Sequence, residues 1–116
     1  MKKFASQSIG IAQGNDVLFE DFEDGGEMWT GMGHRERVKG ITFAEPFKEV
    51  PAVHCSLTLW DVDSATNVRA DVEAINVTGN GFDLVFRTWG DTKVARVRIS
   101  WMAIGPVTNE DDWELY

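Results

Sequence analysis

The chain holds one cysteine (Cys55), two histidines (His34 and His54) and one tyrosine in 116 residues. A lone thiol forms no internal disulfide, so nothing here requires an oxidising compartment. Two imidazoles leave little for acid–base work, and no Gly-x-Ser-x-Gly or comparable nucleophile context occurs. Cys55 alternates onto an apolar face and reads as a buried, inert thiol. Basic residues are also scarce. Lys and Arg number 11 against 19 Asp and Glu, a formal net charge of −8. A surface of that sign repels polyanions, which argues against general affinity for nucleic acid or anionic lipid. No apolar run approaches the ~20 residues of a membrane helix, so no membrane insertion is expected. Met1-Lys2-Lys3 opens like a signal peptide, but Ser6-Gln7-Ser8 stands where an apolar segment belongs and no cleavage pattern follows. The expected location is the cytoplasm, with unconventional export or surface association left open.

What is present is enough for a packed core: 43% of residues are hydrophobic and 11% aromatic. The length suits one domain, 1–116, with its core at about 8–105 and an acidic tail over 106–116. Apolar side chains recur every second residue rather than every three or four. In Pro51–Trp60, Val53, Cys55, Leu57 and Leu59 oppose His54, Ser56 and Thr58. In Val68–Val77, Val68, Ala70, Val72 and Ala74 oppose Arg69, Asp71 and Glu73. Gly79-Asn80-Gly81, residues tolerant of positive φ, then predicts a hairpin turn into Phe82, Leu84 and Phe86. A second turn at Gly90-Asp91-Thr92 leads to Val94–Ile104, which predicts three consecutive antiparallel strands. Ser8–Gln13, Val17–Phe22 and Arg35–Phe43 read as shorter strands, with Glu20–Gly33 an acidic, glycine-rich loop. The fold class is all-β: an antiparallel sandwich of six or seven strands.

Chemistry-bearing patterns are sparse. Asp61-Val-Asp63 with Asn67 has acidic spacing but lacks the glycine and glutamate of a calcium loop, and an Asx-rich turn explains it equally. Asn76-Val77-Thr78 is a glycosylation sequon without a secretion signal. No metal, cofactor or catalytic set is called for. The polar sheet face says more. Asp71 and Glu73, then Arg87, then Arg96 and Arg98 fall on successive strands, as cross-strand ion pairs would require. Such a face is either a compensated, solvated surface or a charged seam between copies of the chain. Trp89 shares that face at a strand end beside Gly90, where a large aromatic makes a stacking platform.

An ordered series of motifs carries a resemblance: Gly40-Ile-Thr-Phe43-Ala-Glu-Pro46-Phe47, Pro51, the Leu57–Asp61 strand, Asn67-Val-Arg69, Gly81-Phe82, Thr88-Trp89-Gly-Asp-Thr92-Lys93 and Ile99-Ser-Trp101-Met-Ala-Ile104. Together they resemble the H-type lectin domain over about Ile41–Ile104, more weakly back to Ser8. The resemblance implies a six-stranded sandwich assembled as a homotrimer, possible pairing of trimers into hexamers, and non-catalytic binding of N-acetylgalactosamine or galactose-type glycans near protomer interfaces. It places Arg69 and Trp89 in the sugar site, with Gly90 and Asp91 beside them and Gly31-Met32 in the loop that carries an acidic contact elsewhere in the family. Gly90 replaces a frequent histidine, Ala95 an aromatic, Met32 the acid and Phe86 a disulfide cysteine. His34 or Glu36 are candidate substitutes for the acid. Arg69 serves either a sugar or an ion pair with Asp71 or Glu73 across the interface between copies. Trp89 serves either a sugar or, buried, the anchoring of the sheet end or the trimer seam. Two other classes stay open: a trimeric adhesive or structural module with a degenerate site, and a carbohydrate-active enzyme using Asp71 and Glu73.

Overall fold

A computed structural model of the chain describes residues 1–5 and 7–108. Six strands form two antiparallel three-stranded sheets. One sheet has the order β1 (Ile9–Phe19), β6 (Val94–Pro106), β3 (Ala52–Val62). The other has the order β2 (Arg35–Thr42), β5 (Gly81–Thr88), β4 (Asp71–Ile75). The acidic tail beyond residue 108 lies outside the described residues.

Period-two alternation builds the core. Phe82, Leu84 and Phe86 of β5 face Val97, Ile99 and Ala103 of β6, all at 3% exposure or less. Each of the buried Phe, Leu, Ile and Val side chains contributes about 1.5–3 kcal/mol relative to exposure. An aromatic cluster of Phe43, Phe47, Phe82 and Trp101 closes one end, with ring centroids 5.0–5.9 Å apart. Phe19 against Phe86 continues it at 5.5 Å.

The six-stranded sandwich agrees with expectation, but several details differ. The two strands expected over Ser8–Gln13 and Val17–Phe22 are one strand, β1, that ends at Phe19, with Asp21 and Phe22 in a helix instead; its register against β6 shifts between Val17 and Phe19. Continuous pairing with the long β6 holds it together. The stretch 20–33 contains two single-turn helices, α1 (Asp21–Asp24) and α2 (Glu27–Thr30). Asp21, 5% exposed, organises them: its Oδ2 accepts from the Met28 N–H at 2.9 Å and from Arg37 Nη2 at 2.8 Å. Val68 and Ala70 are not core residues as the alternation predicts, because β4 begins only at Asp71.

The hairpin β4–β5 forms as predicted, pairing Ile75 with Asp83. Positive φ falls on Asn76 (54°), however, and not on Gly79 or Gly81. The Gly90-Asp91-Thr92 turn is not a hairpin: β5 and β6 are the central strands of different sheets, and the turn carries the chain between them. Arg96 and Arg98 therefore never meet Asp71 or Glu73. Both lie beside β3, Arg96 Nε 3.3 Å from Asp61 Oδ2 and Arg98 Nε 3.2 Å from Thr58 Oγ1. Arg87 serves the acidic pair, with Nη1 3.2 Å from Asp71 and 2.9 Å from Glu73.

Candidate functional site

Odd-numbered residues of β5 lie on the face opposite Phe82, Leu84 and Phe86, so Trp89, in the same phase, emerges at the strand end and is 44% exposed. Gly90 then adopts φ +69°, a left-handed value that glycine reaches without steric cost. Two fully buried threonines bracket this turn and hold residues 67–69 against it. Thr88 Oγ1 donates to the Arg69 carbonyl at 2.6 Å, and Thr92 Oγ1 donates to the Asn67 carbonyl at 2.6 Å. Thr92 Oγ1 also accepts from the Arg69 N–H at 3.1 Å.

The Arg69 side chain thereby reaches across the turn. Its Nη1 donates to Asp91 Oδ1 at 2.8 Å, and the Asn67 amide lies 3.4 Å from the same oxygen. A Cβ at position 90 would stand 3.0 Å from Nη1, so the guanidinium occupies the space that a side chain there would need. Desolvation pushes the Asp91 carboxyl upward, but hydrogen bonds from the Asn67 backbone and amide and from Arg69 outweigh it and hold the group below the usual carboxylate range. Within one chain the partner of Arg69 is thus Asp91.

The opposite wall comes from the loop after α2. The Gly31 N–H donates to the Glu27 carbonyl at 2.7 Å, and Gly33, at φ +76°, donates its N–H to the Gly90 carbonyl at 2.9 Å. Met32 between them is 75% exposed. Arg69, Gly90 and Asp91 are in direct contact, Trp89 adjoins them in the chain, and Gly31 and Met32 arrive through the Gly33–Gly90 bond.

His34 and Glu36 belong elsewhere. His34 Nε2 lies 3.8 Å from Glu36 Oε2, which in turn faces Arg87 Nε at 3.4 Å, on the outer face of β2-β5-β4. The hydrogen bond with Glu73, opposed by desolvation, leads the set of contacts that raises the Arg87 guanidinium's affinity for its proton. Ala95 is 6% exposed and belongs to the buried face of β6. Asp61 is engaged by Arg96, and Asp63 Oδ1 accepts the Ala65 N–H at 2.9 Å, an Asx turn. Among the described residues no three His, Cys, Asp or Glu side chains are grouped as metal ligands.

Sequence reading missed the work of Thr88, Thr92 and Arg35. Arg35 shares the phase of core-facing Ile41 on β2 and is 4% exposed. A cation in a buried phase requires acceptors, and that was the available signal. In this setting the site offers an exposed indole face, a fork of N–H donors and an ionised acceptor at one end of a rigid sandwich. That set suits a polyhydroxylated ring, stacked through its C–H face and hydrogen-bonded through its hydroxyls.

Comparison with known proteins places the chain in a class. The H-type lectin domain family matches residues 38–104. A protein described as ATP synthase subunits region ORF 7 from Fuscovulum blasticum is 54% identical over 93% of this chain and 94% of its own. Discoidin-2 of Dictyostelium discoideum is 33% identical over 65% of this chain, but the match spans only 30% of that longer protein. The structure of wild-type discoidin II from the same organism superposes with a TM-score of 0.76 at 23% identity, covering 91% of this chain and 39% of that one, which supports a shared fold. The family defines a carbohydrate-binding class of domain. The chain belongs to the H-type lectin domain family.

Proposed function

We propose that the chain is a lectin recognising terminal N-acetylgalactosamine or galactose-type sugars, assembled as a trimer with its sites near protomer interfaces. Trp89 stacks on the pyranose. Arg69 donates to ring hydroxyls and Asp91 accepts from them, a role the family's acid takes from the loop that here presents Met32. The observation that carries this reading is the Arg69–Asp91 pair, a preformed donor and acceptor on the turn that follows the exposed Trp89 in the chain. A shallow site of this kind binds with about millimolar affinity, roughly −4 kcal/mol. Three such sites on one trimer face raise avidity on a multivalent glycan by orders of magnitude.

The test is a glycan array with the labelled oligomer beside its Trp89→Ala variant. Retention on galactose-type termini that the variant loses is the expected result; equal retention by a folded variant overturns the site. A second reading, a trimeric assembly or adhesion module, is favoured by the buried Ala95 and by Met32 at the acidic position. A blank array from a well-folded oligomer supports it.

A further inference from the structure

The side chain most at odds with its surroundings is Arg35. It is 4% exposed, and no carboxylate is paired with it among the described residues. Burying a guanidinium without a counter-ion is costly unless dipoles satisfy every donor. Here they do. Nε donates to the Gly33 carbonyl at 2.9 Å, and Nη1 donates to the carbonyls of Glu27 at 3.3 Å and Met28 at 3.1 Å. Nη2 donates to those of Gly90 at 3.3 Å and Thr92 at 2.8 Å. A guanidinium has five N–H donors, and five carbonyls receive them.

Those carbonyls come from three separate segments: α2, the loop that holds Met32, and the turn that holds Trp89 and Asp91. The Gly90 carbonyl accepts from both Gly33 and Arg35, so one oxygen joins the two walls of the site. Only a planar fork reaches acceptors on several sides at once; a lysine ammonium concentrates its donors at one point. Arg35 also lies outside residues 38–104, the stretch matched to the family, as does the Gly31–Gly33 loop it secures.

We infer that Arg35 is a positioning residue that sets the geometry of the sugar site from beneath, fixing the Trp89–Asp91 turn against the Gly31–Gly33 loop without touching ligand. The inference rests on the lectin reading for its consequence in binding, while its structural half is measurable without any sugar. The experiment compares the full chain with Arg35→Lys and Arg35→Ala by peptide-resolved hydrogen exchange and by titration with N-acetylgalactosamine. Exchange over 31–35 and 89–93 is expected to rise about tenfold in both variants while β5 and β6 keep their protection, as for a local opening. Affinity is expected to fall about tenfold, and millimolar guanidinium is expected to restore both quantities in Arg35→Ala but not in Arg35→Lys.

Unchanged exchange at both segments overturns the inference, as does loss of protection throughout β5 and β6, which would make Arg35 a general structural residue. Local loosening with unaltered affinity also overturns it. If the wild-type chain binds no sugar at all, the lectin reading fails, and exchange with guanidinium rescue still decides whether Arg35 sets this geometry.

Discussion

Arg69 Nη1 lies 2.8 Å from Asp91 Oδ1, with Gly90 between them at φ +69°. Each residue explains the other two. The turn brings the carboxylate back toward the arginine, and the missing Cβ leaves room for the guanidinium. Buried Thr88 and Thr92 fix the segment from which Arg69 extends. The polar half of the candidate site is therefore assembled before a ligand arrives, which lowers the ordering cost of a weak contact.

Trp89→Ala is expected to remove glycan retention at little cost to the fold, since the indole is 44% exposed. A thermal midpoint within a few degrees of wild type, with retention lost on the array, is the predicted pair of results. Unaltered retention would show that the indole is no platform.

Gly90→Ala tests the turn. A Cβ there is strained at positive φ and stands 3.0 Å from Arg69 Nη1. The expected destabilisation is about 1–2 kcal/mol by denaturant titration. Sugar binding should weaken further, because the guanidinium must leave Asp91. Gly40→Ala, on exposed β2 with its nearest neighbour 3.6 Å away, is the comparison and should cost less.

The pH profile follows from Asp91. Its carboxyl is held low in the folded chain, so its contribution to stability is fully present above the unfolded carboxylate value of about 3.9. That contribution is lost as pH falls through the depressed folded value. Glycan retention should be flat from about pH 7 to pH 5 and decline only in strong acid. Asp91→Asn should lower retention between about pH 5 and pH 7 and remove the acid-side decline. A midpoint near pH 6 in the wild type would contradict this assignment.

Asp21 is the corresponding test of the scaffold. Asp21→Ala deprives the Met28 N–H and Arg37 Nη2 of a buried acceptor. A loss of about 2–4 kcal/mol is expected by chemical denaturation. The smaller substitution Asp21→Asn keeps one acceptor oxygen and should cost less. Equal stability of all three proteins would mean that α1 and α2 do not depend on this carboxylate.

Much of the architecture was legible because period-two alternation is a local property. Phe82, Leu84 and Phe86 against Asp83 and Arg87 mark a strand and its buried face wherever that strand is placed. The β4–β5 hairpin followed from proximity, and it drew Asp71 and Glu73 to Arg87 as expected. The Trp89-Gly90-Asp91 run likewise marked the turn on which the candidate site is built.

Pairing beyond nearest neighbours was not written in that pattern. A glycine-containing turn serves a hairpin or a crossing between sheets equally well, and only the burial of β5 and β6 in opposite layers selected the crossing. With it, Arg96 and Arg98 went to β3, and Arg69 found Asp91 across the turn. The sequence by itself determined the β5 strand with its buried face, the β4–β5 hairpin and the turn residues that follow Trp89. The tertiary structure alone decided which charges meet and how Arg35 is satisfied, because a buried cation takes its acceptors from segments that come together only when the two sheets close on a common core.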